Sequence, residues 1–155
     1  MSTEKRTILL VDARIPDNSG VIEYALMQLY VMALLEADFE VKTSNHIGAA
    51  CKLISNEHFD FVSLGVLLPD PEHVFSREQT ENGLFSGVAM FQWIIENIEP
   101  IPPVAFLTNA PIHLLKQRLD SKKLARHQHW VLQKSTTPPF DFVDFVNETM
   151  FGGMQ

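Results

Sequence analysis

The apolar positions of this chain fall into two patterns that follow one another along its length. Ile8-Leu9-Leu10-Val11 is a continuous apolar run closed by Asp12 and Pro16, as expected of a strand covered on both faces of a parallel sheet. Phe59–Leu68, Val104–Thr108 and Trp130–Gln133 have the same character, the first of them stopped by Pro69-Asp70-Pro71. Phe39–Thr43 instead alternates apolar and polar residues, which predicts a half-exposed strand near an edge. Segments of helical character lie between these runs. Val21–Ala37 is rich in Leu, Met and Ala and holds no Pro or Gly. Asp17-Asn18-Ser19-Gly20 before it offers capping oxygens for its first turn. Ile47–Ile54, Gly87–Ile98, Pro111–Leu124 and Pro139–Met150 complete the helical set.

Strand and helix thus alternate five times. Parallel neighbours need crossovers, so the pattern predicts a three-layer, doubly wound α/β fold of the flavodoxin-like (βα)5 kind, with helices on both faces of one sheet. No internal repeat, low-complexity segment or linker interrupts the 155 residues, so one domain over 1–155 is expected, with its core between 7 and 150. One connection stands out. The segment 69–86 contains a polar stretch too long for an ordinary strand-to-helix loop.

Composition narrows the function more than the fold. With 46% hydrophobic residues and 11 Phe the chain can fill a sizeable core. Its 19 acidic and 12 basic residues leave a net charge of −7, which argues against a nucleic-acid partner, since that affinity rests on Lys and Arg. The single cysteine, Cys51, excludes an internal disulfide framework and any multi-cysteine zinc site. Met1–Thr7 is polar and mixed in charge, unlike a secretory or transit leader. Val21–Leu35, the longest apolar stretch, includes Glu23 and Gln28 and is too short to span a bilayer. A cytoplasmic protein without membrane contact is the expectation.

In sheets of this kind ligands gather outside the carboxyl ends of the strands, so the residues that matter are Asp12-Ala13, Gly65, Thr108 and Lys134. Here the runs Ile8-Leu9-Leu10-Val11-Asp12-Ala13, Phe61–Pro69, Pro103–Thr108 and Leu132-Gln133-Lys134 resemble the strand signatures of the CheY-like response-regulator receiver family. They occur in that family's order and at about its spacing, from residue 7 to 150. The resemblance implies two carboxylates after the first strand that hold Mg²⁺, a third after the third strand that accepts phosphate, and a threonine and lysine that bind the phosphoryl oxygens. Asp12, Thr108 and Lys134 match that set. Ala13 stands where the main metal-binding acid belongs, and Gly65 where the phosphoryl acceptor belongs.

The chain therefore resembles a degenerate receiver, a pseudo-receiver without a phosphorylation site, a resident metal or another cofactor. Asp12, Ala13, Gly65, Thr108 and Lys134 form its vestigial pocket, in which Lys134 is expected to pair with Asp12 so that neither charge is buried alone. The alternative is an anion or small-ligand site around Lys134 and Thr108, in the space that Ala13 and Gly65 leave. Two further departures point to a lost switch. The position of the family's inward-turning aromatic is Val131, with Trp130 beside it on the other face of the strand. Ser135 replaces the proline that usually follows the lysine, so the turn there is expected to be rebuilt. Glu81–Met90 is similar to receivers whose long loop closes on a two-glycine turn. That loop is either a solvated insertion or a partner contact, and His73 and Phe75 are the residues to test.

Other constellations give less. His127 and His129 share a strand face but lack a third ligand in a recognised spacing, which favours a solvated turn over a metal site. Cys51 lies on the apolar face of its helix, the setting of a buried thiol and not of a nucleophile. No phosphate-binding glycine loop and no nucleophile–base pair is present. The first and last helices carry more apolar residues than one core-facing stripe requires. In the receiver fold they lie side by side, so they are expected to form a protein–protein surface, most simply a homodimer, with Tyr24, Tyr30, Phe142 and Phe145 as anchors. The partner class is thus another protein, a signalling protein or a second copy.

Overall fold

The computed structural model describes residues 5–14 and 22–151, without the side chains of 22–25. The capping residues Asp17–Gly20 and the Tyr24 side chain fall outside the described set. Among the described residues five strands, β1 (Thr7–Val11), β2 (Glu40–Ser44), β3 (Phe61–Leu64), β4 (Val104–Thr108) and β5 (His129–Gln133), form one sheet in the order β2-β1-β3-β4-β5. Every neighbouring pair is parallel. The helices are α1 (Ile22–Glu36), α2 (Ile47–Asn56), α3 (Arg77–Thr80), α4 (Ser86–Asn97), α5 (Ile112–Ser121) and α6 (Pro139–Phe151). This is the flavodoxin-like α/β architecture that the alternating pattern predicts.

The two faces of the sheet divide the apolar residues by the strand period of two. Leu9, Val11, Val62, Leu64 and Phe106 point to the layer of α2, α4 and α5, where they meet Ile47, Ile54, Phe91 and Leu115. Ile8, Leu10, Phe61 and Leu107 point the other way, onto Met27, Tyr30 and Leu34 of α1 and Phe142 and Val146 of α6. Trp130 belongs to the second layer and Val131 to the first, so the strand pleat separates them as expected. The third apolar run, 59–68, is longer than the strand it contains. β3 ends at Leu64, and Val66 and Leu68 remain buried as loop residues, because burial and strand pairing are separate requirements.

The long connection after β3 is built from local hydrogen bonds. The Asp70 carboxylate accepts from the amides of Val74 and Phe75, each at 2.9 Å. Ser76 and Gln79 close a capping box around α3. Phe75 is buried in the first core layer, so it is not the surface contact that its sequence context suggested, whereas His73 is exposed. The segment is anchored because its two large aromatics, Phe75 and Phe85, both have core to fill. The Ser86 hydroxyl donates to the Leu68 carbonyl at 2.6 Å and accepts from its amide at 2.7 Å, fastening the start of α4 to the loop.

Cys51 lies on the buried face of α2. Burial, with the Asp70 charge as a lesser cause, pushes its thiol up to about 11. The protonated thiol therefore favours the folded state below its unfolded value of about 8.5, a contribution lost as the pH rises through the folded value. At pH 8 roughly a hundredfold less thiolate is present than for an ordinary cysteine. Iodoacetamide at that pH should leave Cys51 unmodified in the native protein and alkylate it in urea. Alkylation at equal rates in both states would contradict this placement.

Candidate functional site

Four strand ends converge at the carboxyl edge of the sheet. Asp12 follows β1, Gly65 follows β3, Thr108 closes β4 and Lys134 follows β5. The parallel pairing of β1 with both β2 and β3 makes this edge the place where strand order reverses, the usual ligand crevice of such sheets. The four residues, with Ala13, line one cleft of about 390 Å³, to which Arg14, Asn109 and Ala110 also contribute. All five pocket residues read from the sequence are thus brought together.

The electrostatics of the cleft centre on one ion pair. Lys134 Nζ lies 2.7 Å from Asp12 Oδ2, and the two side chains are 5% and 7% exposed. Asp12 Oδ1 accepts from the Arg14 amide at 2.8 Å, so both carboxylate oxygens are engaged. Thr108 Oγ1 accepts from the Ala110 amide at 2.9 Å and holds the chain that leaves β4. Among the described residues no buried side-chain nitrogen or oxygen lacks a partner. Lys134 also begins a 3-10 turn over Lys134–Thr136 that leads to α6.

Gly65 and Gly87 face each other across the wall of this cleft. A Cβ on Gly87 would lie 2.0 Å from the Gly65 carbonyl oxygen, so α4 reaches the loop only because Gly87 has no side chain. A Cβ on Gly65 would meet the Leu68 methyl at 3.2 Å and, at ordinary contact distance, Asp12 Oδ2 and the Val11 carbonyl oxygen, each at 3.5 Å. Position 65 therefore carries no side-chain chemistry, but the space beside it is not sealed off. The two-glycine turn is visible in the sequence, but not that its second glycine, Gly87, abuts Gly65 at the end of β3. Nor did it single out Ser86, whose hydroxyl bonds have no one-dimensional signature.

The expected interface anchors fare differently. Tyr30 and Phe142 are 1% and 0% exposed, so they cannot anchor a partner at the surface of the folded chain. Their rings meet edge to face at 5.6 Å, and the Tyr30 hydroxyl donates to the Thr137 carbonyl at 2.5 Å. Burial, followed by the Asp12 charge, raises the Tyr30 phenol above its ordinary range. Phe145 is half-buried and packs edge-on against Phe61 and Trp130. The cause is helical phase. These aromatics fall on the sheet-facing stripe, while the outward ridge of α1 is made of Leu26, Leu29, Met32 and Leu35, 38–53% exposed.

No protein-family model matches the sequence, and no curated protein is significantly similar to it. Solved structures are similar over nearly the whole chain. A CheY-like response-regulator receiver domain protein from Methanospirillum hungatei JF-1 superposes with a TM-score of 0.67 at 16% identity, covering 97% of this chain and 98% of its own. The signal receiver domain of an HD domain-containing protein from Pseudomonas fluorescens Pf-5 gives 0.62 at 17% identity, covering 97% of each chain. The non-phosphorylated HemR receiver domain from Leptospira biflexa gives 0.56 at 23% identity, covering 94% of this chain and 91% of its own. Among the described residues no helix is long and apolar enough to cross a membrane. By its strand order, its layers and these superpositions, this chain has the fold of the CheY-like response-regulator receiver domains.

Proposed function

We propose that this chain is a degenerate receiver, a cytoplasmic, non-enzymatic signalling module of one domain that does not take phosphate on aspartate and acts by binding other proteins. One observation carries this reading. The strand-end position of the phosphoryl acceptor is Gly65, while Asp12, the remaining acid, is neutralised by Lys134 at 2.7 Å. Glycine offers no carboxylate to phosphorylate. A carboxylate already bound to an ammonium is also a poor start for an Mg²⁺ site, which needs oxygen ligands free to face the ion. The same pair weakens the anion-site reading, because the buried lysine of the cleft has its charge met from within.

Function then falls to surfaces. The α1–α6 face offers an exposed apolar ridge, and a second copy or another protein are its two possible occupants. Incubation of the purified protein with Mg²⁺ and acetyl phosphate should leave its intact mass unchanged. A phosphoprotein, stable or transient, would overturn the reading.

A further inference from the structure

We propose that the α1–α6 face seats an amphipathic helix of another protein whose polar side carries lysine or arginine. The inference rests on the reading of the chain as a protein-binding module and specifies the partner's chemistry. Three features of the face lead to it. The first is the ridge itself. Leu29, Met32 and Leu35, each about half exposed, recur every third residue on the outside of α1, with Leu26 at its flank. Six residues of helix span roughly 9 Å, the length that nearly two turns of a docked helix would cover. Beside the ridge, Leu29, Met32, Ala33, Glu36, Pro139 and the 71%-exposed Phe140 enclose a groove of about 310 Å³.

The second feature is the adjoining helix. Phe142, Val143 and Val146 turn α6 onto the sheet, which leaves Asp141, Asp144 and Glu148 exposed on its outer side at helical spacing. An apolar ridge on α1 thus runs beside an acidic ridge on α6, and the two helices pack against one another. The third feature is the absence of basic residues. Neither Ile22–Glu36 nor Pro139–Phe151 contains a Lys or Arg. Lys5 and Arg6 sit by the last turn of α6, where they pair with Asp38 and Asp60 and Arg6 lies over the Phe151 ring.

Charge decides between the occupants. A symmetric dimer through this face would bring Glu36, Asp141, Asp144 and Glu148 of both copies together, while neither α1 nor α6 offers a cation to meet them and Lys5 and Arg6 at the edge are already paired with Asp38 and Asp60. Like charges so juxtaposed oppose association. A helix with leucines on one side and lysines on its flank satisfies both ridges at once.

The probe is a synthetic leucine–lysine amphipathic helix, labelled for fluorescence anisotropy, beside an otherwise identical leucine–glutamate peptide. The lysine peptide should bind the intact protein, and the glutamate peptide should bind at least about tenfold more weakly. Met32→Glu should weaken the lysine peptide about tenfold. Generic attraction of a cation to an acidic protein would instead strengthen with the added acid. Asp141→Lys/Asp144→Lys should reverse the preference between the peptides. These positions are exposed, and circular dichroism checks that each variant folds. Lack of binding, equal binding of both peptides, or indifference to Met32→Glu would overturn the proposal. So would a dimer in analytical ultracentrifugation that Met32→Glu dissociates, since a second copy would then own the face. None of these outcomes bears on phosphorylation, which the intact-mass experiment reads separately.

Discussion

Replacing Lys134 with alanine should destabilise the protein by about 3–5 kcal/mol, because it leaves the Asp12 carboxylate buried without its counter-ion. The pair is 2.7 Å apart and almost wholly removed from water. In such a place the attraction between the charges offsets their lost hydration, and each charge alone is costly. The corresponding double variant, Asp12→Asn/Lys134→Met, should recover to within about 1 kcal/mol of the wild type, since removing both charges also removes the need for either. Asparagine keeps an oxygen for the Arg14 amide, and methionine keeps the length of the lysine stem. Urea denaturation of the three proteins reads the result as a shift in midpoint at constant slope. If Lys134→Ala unfolded near the wild-type midpoint, the ammonium would not be needed by Asp12. The cleft would then offer a free cation, and an anion site would become the better reading of it.

That pair was legible in the sequence because short apolar runs end where a parallel sheet ends. Once Ile8–Val11, Val104–Thr108 and Trp130–Gln133 are read as buried strands, topology alone brings Asp12, Thr108 and Lys134 to one edge. The first and last helices show the opposite case. Helical phase is read from the contrast between apolar and polar faces, and Ile22–Glu36 has almost no polar face. Nothing in that pattern marks which side an aromatic takes, and Tyr30 and Phe142 fill the core while smaller aliphatic residues line the surface. The segment 69–86 was illegible for another reason. Its order depends on Asp70, Ser76 and Ser86 each meeting a particular amide or carbonyl, and such pairings leave no periodic trace. Phe75 could have been suspected from composition alone, as a large aromatic in a polar stretch with a core available to receive it.

Gly87→Ala should be about as damaging as a poorly tolerated core substitution, near 3 kcal/mol, although it adds a single methyl group. That methyl would lie 2.0 Å from the Gly65 carbonyl oxygen and 3.0 Å from the Val66 Cα. Both obstacles are backbone, so no rotamer change relieves the clash. Relief requires α4 to draw away from the loop, and that motion would strain the Gly87 amide bond to the Val66 carbonyl and the Ser86 hydroxyl bonds to Leu68. Gly65→Ala is the informative control. Its methyl would press on the end of the Leu68 side chain, which can move a few tenths of an ångström, so a cost within about 1 kcal/mol is expected. A tolerated Gly87→Ala would mean that helix and loop are not in contact as described. The contrast bears on function, because it separates two reasons for a glycine beside the cleft. Gly87 is required by the space between α4 and the loop. Gly65 is not required by its surroundings, which leave room for a Cβ at the end of β3.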